Sequence, residues 1–335
     1  MAGGKGSLCV DAYDSARPAV RCRGAVSAFL NISFGTAVGG RYLISTYVRR
    51  RRLAAELSAL RDANKLSSQE LADRARLPRT TISRLENARS RPDSNDILRI
   101  LEALNVTGDR WDALIQIARE AGERGWWESA ATEMGVRQAL YADLEAGAAS
   151  IREYQMTLLP GLLQTTAFTH ARAGIDKADW STNFNPDRAA EGRARRQQVL
   201  HRSDGPTYEV VIDELAVRRP AAEDSVLRDQ LLHIAEHPAQ DKKITVSVLP
   251  VDGRIAGHMV PRSSFSIYTY PDPLDPVVVA VDTVTDDLVL TEPPAVAQYL
   301  DLYERLRSAA LTPEQSARFL LASADQISLV TGSAA

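Results

Sequence analysis

The chain has 335 residues, 44% of them hydrophobic and 25% charged, with a net charge of −3; this is ordinary for a soluble globular protein and allows two hydrophobic cores. Its only cysteines, Cys9 and Cys22, exclude a disulfide framework and a cysteine zinc site, and fit a reducing cytoplasm. Charge is unevenly spread: residues 47–92 hold 12 Lys and Arg against 5 Asp and Glu, whereas residues 93–335 carry −13.

Residues 1–46 lack helical or strand periodicity. The mildly apolar run from Gly24 to Gly40 is interrupted by Asn31, Ser33 and Thr36, too short and polar for a membrane span or an export signal. The expectation here is a weakly ordered tail, or chain read from an upstream start codon, dispensable for folding.

Val48 to Asn64 has Leu53, Leu57 and Leu60 on one face, a helical spacing. Arg49 to Arg52 stand at its N-terminus, where the helix dipole disfavours cations; they belong either beside phosphates or on a solvated arm. Ser67 and Glu70 have the spacing of a capping box opening a second helix with Leu71, Ala72 and Ala75 inward. Arg76-Leu77-Pro78 breaks it. A third helix, Arg79 to Asn87, turns Ile82 and Leu85 inward and Arg79, Thr80, Thr81, Ser83 and Arg84 outward. Two short helices across a three-residue break form a helix-turn-helix, whose second helix enters a DNA major groove. A basic block on an acidic chain is the matching electrostatic footprint.

Ser68-Gln69-Glu70-Leu71-Ala72, Ile82-Ser83-Arg84-Leu85-Glu86 and Arg89-Ser-Arg91-Pro92 resemble the phage-repressor (Cro/CI, XRE-type) family of helix-turn-helix regulators. The family usually has Gly where Arg76 stands and Ser or Thr where Pro78 stands. Positive φ at a non-glycine residue costs on the order of 1 kcal/mol, which favours an adjusted turn. The resemblance implies a sequence-specific, homodimeric regulator of double-stranded DNA. Arg79, Thr80, Thr81, Ser83, Arg84 and Asn87 would lie on or beside the recognition helix; Ser68, Gln69, Arg89 and Arg91 would hold phosphates.

Asp93 caps a helix to Leu104, and Asp109 to Ala121 is a fifth helix, completing a small all-α domain over 47–123. Arg124-Gly-Trp-Trp-Glu128 marks a boundary, its tryptophans suited to packing between domains. Residues 124–150 read as a linker with one helix over 132–150. From 151 to 330 the pattern becomes α+β: helices at 186–202, 223–237, 293–309 and after Thr312, and strands at 208–212, 244–249, 264–270, 277–284 and 287–291. Sequential strands late in the chain suggest a largely antiparallel sheet covered by helices.

Arg124–Glu128, Leu159-Pro-Gly-Leu-Leu-Gln-Thr165, Asp213-Glu-Leu-Ala-Val-Arg-Arg219 and Val246-Ser-Val-Leu-Pro250 look like the C-terminal domain of WhiJ-like, antitoxin-like actinobacterial regulators. This resemblance implies a cytoplasmic regulator, often encoded beside a small partner protein, with a ligand- or partner-sensing second domain; no site residue transfers. No G-x-S-x-G, Walker A or G-x-G-x-x-G sequence occurs, and neither a cofactor nor a catalytic residue is expected. His233-Ile-Ala-Glu236-His237 fits the H-x-x-E-H zinc pattern, so the alternative is a metal-dependent hydrolase or peptidase tethered to DNA. Pro238 follows at once and should end that helix. The glycine-flanked loop Gly253 to His258 is a candidate border of a ligand pocket.

Overall fold

The computed structural model describes residues 44–176, 185–283 and 287–332; most of the expected tail, residues 1–43, lies outside them. The helical N-terminal region contains α1 (Thr46–Ala63), α2 (Ser68–Ala75), α3 (Arg79–Glu86), α4 (Ser94–Ala103) and α5 (Asp109–Gly122). It does not stop at five helices: α6 (Trp126–Met134) and α7 (Val136–Glu145) precede the first strand. The single helix expected over 132–150 is broken at Gly135, whose φ of 95° and ψ of 139° no helix contains.

Ser45 caps α1 by accepting from the Val48 N–H, and Thr46 is its first residue. Both side chains are buried. Leu53 and Leu57 of α1, Leu71 and Ala72 of α2, Ile82 and Leu85 of α3, Ile97 and Leu101 of α4 and Leu114 of α5 form one core. Burying a side chain such as Ile82 is worth roughly 1.5–3 kcal/mol.

The C-terminal region runs β1 (Ser150–Gln155), α8 (Thr166–Asp176), α9 (Pro186–Gln197), β2 (Thr207–Asp213), α10 (Glu214–Arg218), α11 (Asp224–Gln240), β3 (Ile244–Leu249), β4 (Phe265–Thr269), β5 (Val278–Val281), β6 (Leu288–Leu290), α12 (Pro293–Ala309) and α13 (Pro313–Gly332). The sheet order is β3-β2-β1-β4-β5-β6. It is mixed, not largely antiparallel: β1, β2 and β3 are parallel, and β1–β4, β4–β5 and β5–β6 are antiparallel. The cause is connection length, since helices fill the β1-to-β2 and β2-to-β3 crossovers that parallel pairing requires.

Both faces are covered. Ile151, Tyr208, Val210, Ile212 and Val246 pack with Leu231 and Ile234 of α11 and Leu320 of α13. On the other face Tyr154, Val211, Phe265, Ile267 and Val279 meet Val296, Tyr303 and Leu306 of α12. Trp127 is buried with Met134 and Ala142, and Arg195 of α9 stands 4.3 Å from the Trp126 ring centroid.

Candidate nucleic-acid interface

The helix-turn-helix begins with a complete capping box. Ser67 Oγ accepts from the Glu70 N–H at 3.2 Å, and Glu70 Oε2 accepts from the Ser67 N–H at 2.8 Å. The turn is not adjusted, contrary to expectation. Arg76 adopts φ 54° and ψ 44°, the left-handed conformation usually given to glycine. Two contacts hold it there: the Leu77 N–H reaches the Ala72 carbonyl at 2.9 Å, and the Arg99 guanidinium donates to the Arg76 carbonyl. Pro78 is the N-cap of α3 without a side-chain bond, and its carbonyl accepts from the Thr81 N–H at 2.9 Å.

A residue of the motif that pattern reading left without a role fixes α3. Glu86 takes Arg61 Nε of α1 at 2.6 Å on one oxygen and Ser68 Oγ of α2 at 3.4 Å on the other. The pairing raises the Arg61 guanidinium pKa, led by the Glu86 hydrogen bond. One half-buried carboxylate thus ties the recognition helix to both helices beneath it.

On the outward face, Arg79, Thr80, Ser83, Arg84, Asn87 and Arg89 are exposed, and Thr81 is half-buried. The side chains of Arg79, Arg84 and Arg89 make no hydrogen bond or ion pair with a described residue, which leaves three guanidiniums exposed to solvent. Asn87 spends its amide on the Ser83 carbonyl at 2.7 Å, and Gln69 donates to Asp73 at 2.8 Å. Ser68 is half-buried against Glu86, and Arg91 is paired with Glu128 of α6.

The arginine cluster at the start of α1 lies neither on a solvated arm nor open to phosphate. Arg49 pairs with Glu120 at 2.8 Å, Asp275 at 3.0 Å and Asp272 at 3.4 Å. Arg52 is buried against Glu56 at 2.8 Å, with Asp275 at 3.7 Å. Arg50 lies 3.6 Å from Asp143, and Arg51 donates to Tyr47 Oη at 3.1 Å. Acids spread from residue 120 to 275 converge on this turn, which no local pattern could reveal. Burial pushes Asp275 up to about 6 despite Arg49 beside it.

His233 lies on α11, where burial lowers its pKa against the opposing charge of Glu236. The helix does not end at Pro238 as expected but runs to Gln240, because a proline in the last turn removes only one ladder bond. The His237 side chain lies outside the described residues. Among the described residues, no three His, Cys, Asp or Glu side chains are grouped to hold a metal ion, and no helix is long and apolar enough to cross a membrane. His258, at the end of the glycine-flanked loop, borders an open groove with Tyr299 and Leu302 of α12.

No curated protein and no solved structure matches the chain. Residues 52–114 match the family model described as Helix-turn-helix domain. They span α2, α3 and α4, most of α1 and the first part of α5. Residues 138–322, more than half of the chain and all six strands, match the family described as Domain of unknown function (DUF5753), and the chain belongs to that family.

Proposed function

We propose that the protein is a cytoplasmic, sequence-specific transcriptional regulator of the phage-repressor (Cro/CI, XRE) type that binds double-stranded DNA as a homodimer. The carrying observation is the face of α3: exposed Arg79 and Arg84 with Thr80 and Ser83 beside them, on a helix locked from below by Glu86. One such helix reads only a few base pairs, so two-fold pairing over half-sites about 34–36 Å apart supplies the remaining contact. The DUF5753 region serves as the sensing part, for a ligand or a small partner protein, in the manner of WhiJ-like, antitoxin-like regulators.

The roles divide by chemistry. Arg79 and Arg84 can each bind guanine O6 and N7 bidentately, at roughly 1–3 kcal/mol of discrimination. Ser68 and Gln69, at the N-terminus of α2, hold phosphate with backbone or side-chain donors, and Arg89 adds a counterion-releasing contact. Arg91 contributes less than Arg89, because Glu128 already neutralises it. The test uses an operator selected from random duplexes and competition binding across a salt series. Arg79→Ala and Arg84→Ala should weaken operator far more than random DNA. Arg89→Ala should weaken both alike and reduce the salt slope by close to one, with Arg91→Ala falling short of that. Four arginine variants with identical behaviour would sink this division.

A further inference from the structure

The cavity of about 180 Å³ between the sheet and the helices α7, α8 and α9 is matched from within. Arg196 grips Glu145 through bonds of 2.6 and 3.0 Å, Glu153 accepts from Tyr208 Oη and Gln155 Nε2, and Arg193 donates to Gln164. The groove beside His258 is built the other way. It holds about 750 Å³ between residues 258–263 and the part of α12 that carries Gln298, Tyr299 and Leu302. That is ample for a ligand by volume, but the groove is open and one wall is extended chain.

Met259 has φ −71° and ψ 136°, an extended conformation. Exposure then alternates: Val260 and Arg262 are exposed, and Pro261 and Ser263 are half-buried, the two-residue period of a strand. Within residues 259–263 no backbone N–H or carbonyl is hydrogen-bonded to a described residue. An extended run with open backbone groups is a template for another strand. The run leads into β4, whose own edges are taken by β1 and β5.

The side chains of the groove are equally uncommitted. His258, Arg262, Gln298 and Tyr299 make no side-chain hydrogen bond or ion pair with a described residue. Asp301, the one acid of the lining, is already paired with Arg305 at 2.7 Å. The rim is therefore cationic, although residues 93–335 carry −13. Val260 is 77% exposed beside it. Across the groove Tyr299 and Leu302 are half-buried, and the Tyr299 ring is held edge-on by Phe265 at 5.0 Å.

We propose that this groove docks an extended, acidic segment of a small partner protein, added as a strand along residues 259–263. Its apolar side chains would cover Val260, Tyr299 and Leu302, and a carboxylate would meet Arg262. Charge complementarity selects this occupant. A two-fold contact between copies of this chain would set cationic rim against cationic rim, and a nucleic acid has no strand to add. The proposal rests on the sensing role given above to the DUF5753 region and assigns it to a partner protein, because an unpaired backbone wall suits a peptide.

The test pans a random dodecapeptide library displayed on phage against the full chain, then measures enriched peptides by fluorescence anisotropy. Enriched sequences should combine Asp or Glu with apolar residues, and their binding should weaken as salt rises. Arg262→Glu and Val260→Asp should each weaken binding about tenfold or more, the scale of losing one interface anchor. Both positions are exposed, so the variants should keep the wild-type circular dichroism melt, and a lysine-for-acid version of each peptide tests the charge on the wild-type chain even if one does not. No enrichment, enrichment of basic sequences, or undiminished affinity in both variants would overturn the proposal while leaving the DNA-binding reading in place. So would a wild-type dimer that Arg262→Glu dissociates in sedimentation, which would make the groove a contact between copies. A peptide that binds here without changing operator affinity would support the groove and refute the sensing role.

Discussion

Arg76 concentrates the strain of the helix-turn-helix in one residue. Left-handed backbone costs an L-residue roughly 1–2 kcal/mol, and nothing about the exposed Arg76 side chain offsets it. The compensation comes from outside, through the Arg99 guanidinium on its carbonyl. Arg76→Gly should therefore stabilise the protein, by about 0.5–1 kcal/mol once the greater freedom of glycine in the unfolded chain is subtracted. Urea unfolding monitored by circular dichroism checks this, and an unchanged or lower midpoint would mean that the Arg99 bond has already removed the strain. Glu86 makes the complementary point. Its two bonds run to residues 25 and 18 positions away, so its position in the motif is legible but its role as a tie beneath α3 is not.

The ends of α1 to α4 repeat one device without glycine. Lys65, Arg76, Ala88 and Asn105 all take positive φ. Beyond each, a 6→1 bond closes the helix: Leu66 to Arg61, Leu77 to Ala72, Arg89 to Arg84 and Val106 to Leu101. These are Schellman caps, and Leu66 and Val106 then drop into the core. Where glycine is used, between α6 and α7, the angles are more extreme, at φ 95° and ψ 139°. Gly135→Ala should cost roughly 1–3 kcal/mol by working against the break that lets α7 present Gln138, Tyr141 and Glu145 to the cavity. Thermal melts measure this; a more stable variant would show that one continuous helix is preferred. Helices with clean apolar stripes, such as α4, and runs such as Ile244–Leu249 were legible from periodicity. The central strand β1 was not. Its sequence, Ser-Ile-Arg-Glu-Tyr-Gln, points Glu153 inward, where a strand pattern calls for an apolar residue. Local rules fail where a core buries a matched polar network. Strand direction was equally hidden, because it depends on how the helices of each crossover pack back on the sheet.

Helix α1 belongs to two cores. Val48 packs in the core of the DUF5753 region, whereas Leu53 and Leu57 lie in that of the helix-turn-helix. The arginines between them are held by Glu120, Asp272 and Asp275, so α1 joins the DNA-facing unit to the sheet without an intervening linker. Its anchor is Asp143 of α7, which accepts from Ser45 Oγ at 3.1 Å, Thr46 Oγ1 at 2.8 Å and the Tyr47 N–H at 3.2 Å. Burial raises the Asp143 pKa, and the Thr46 and Tyr47 donors work against that rise. Replacing Ser45 by Ala and Thr46 by Val in the full chain removes an N-cap, about 1 kcal/mol. It also leaves a buried carboxyl short of two donors, at roughly 1–3 kcal/mol more. The double variant should thus lose about 2–4 kcal/mol in urea unfolding, and its two halves should unfold at separate midpoints, because the shared helix is loosened at its root. A single midpoint at the wild-type value would show that the ion pairs of Arg49 and Arg52 hold α1 unaided. The first residues needed for folding would then begin at Tyr47, as sequence reading had placed them.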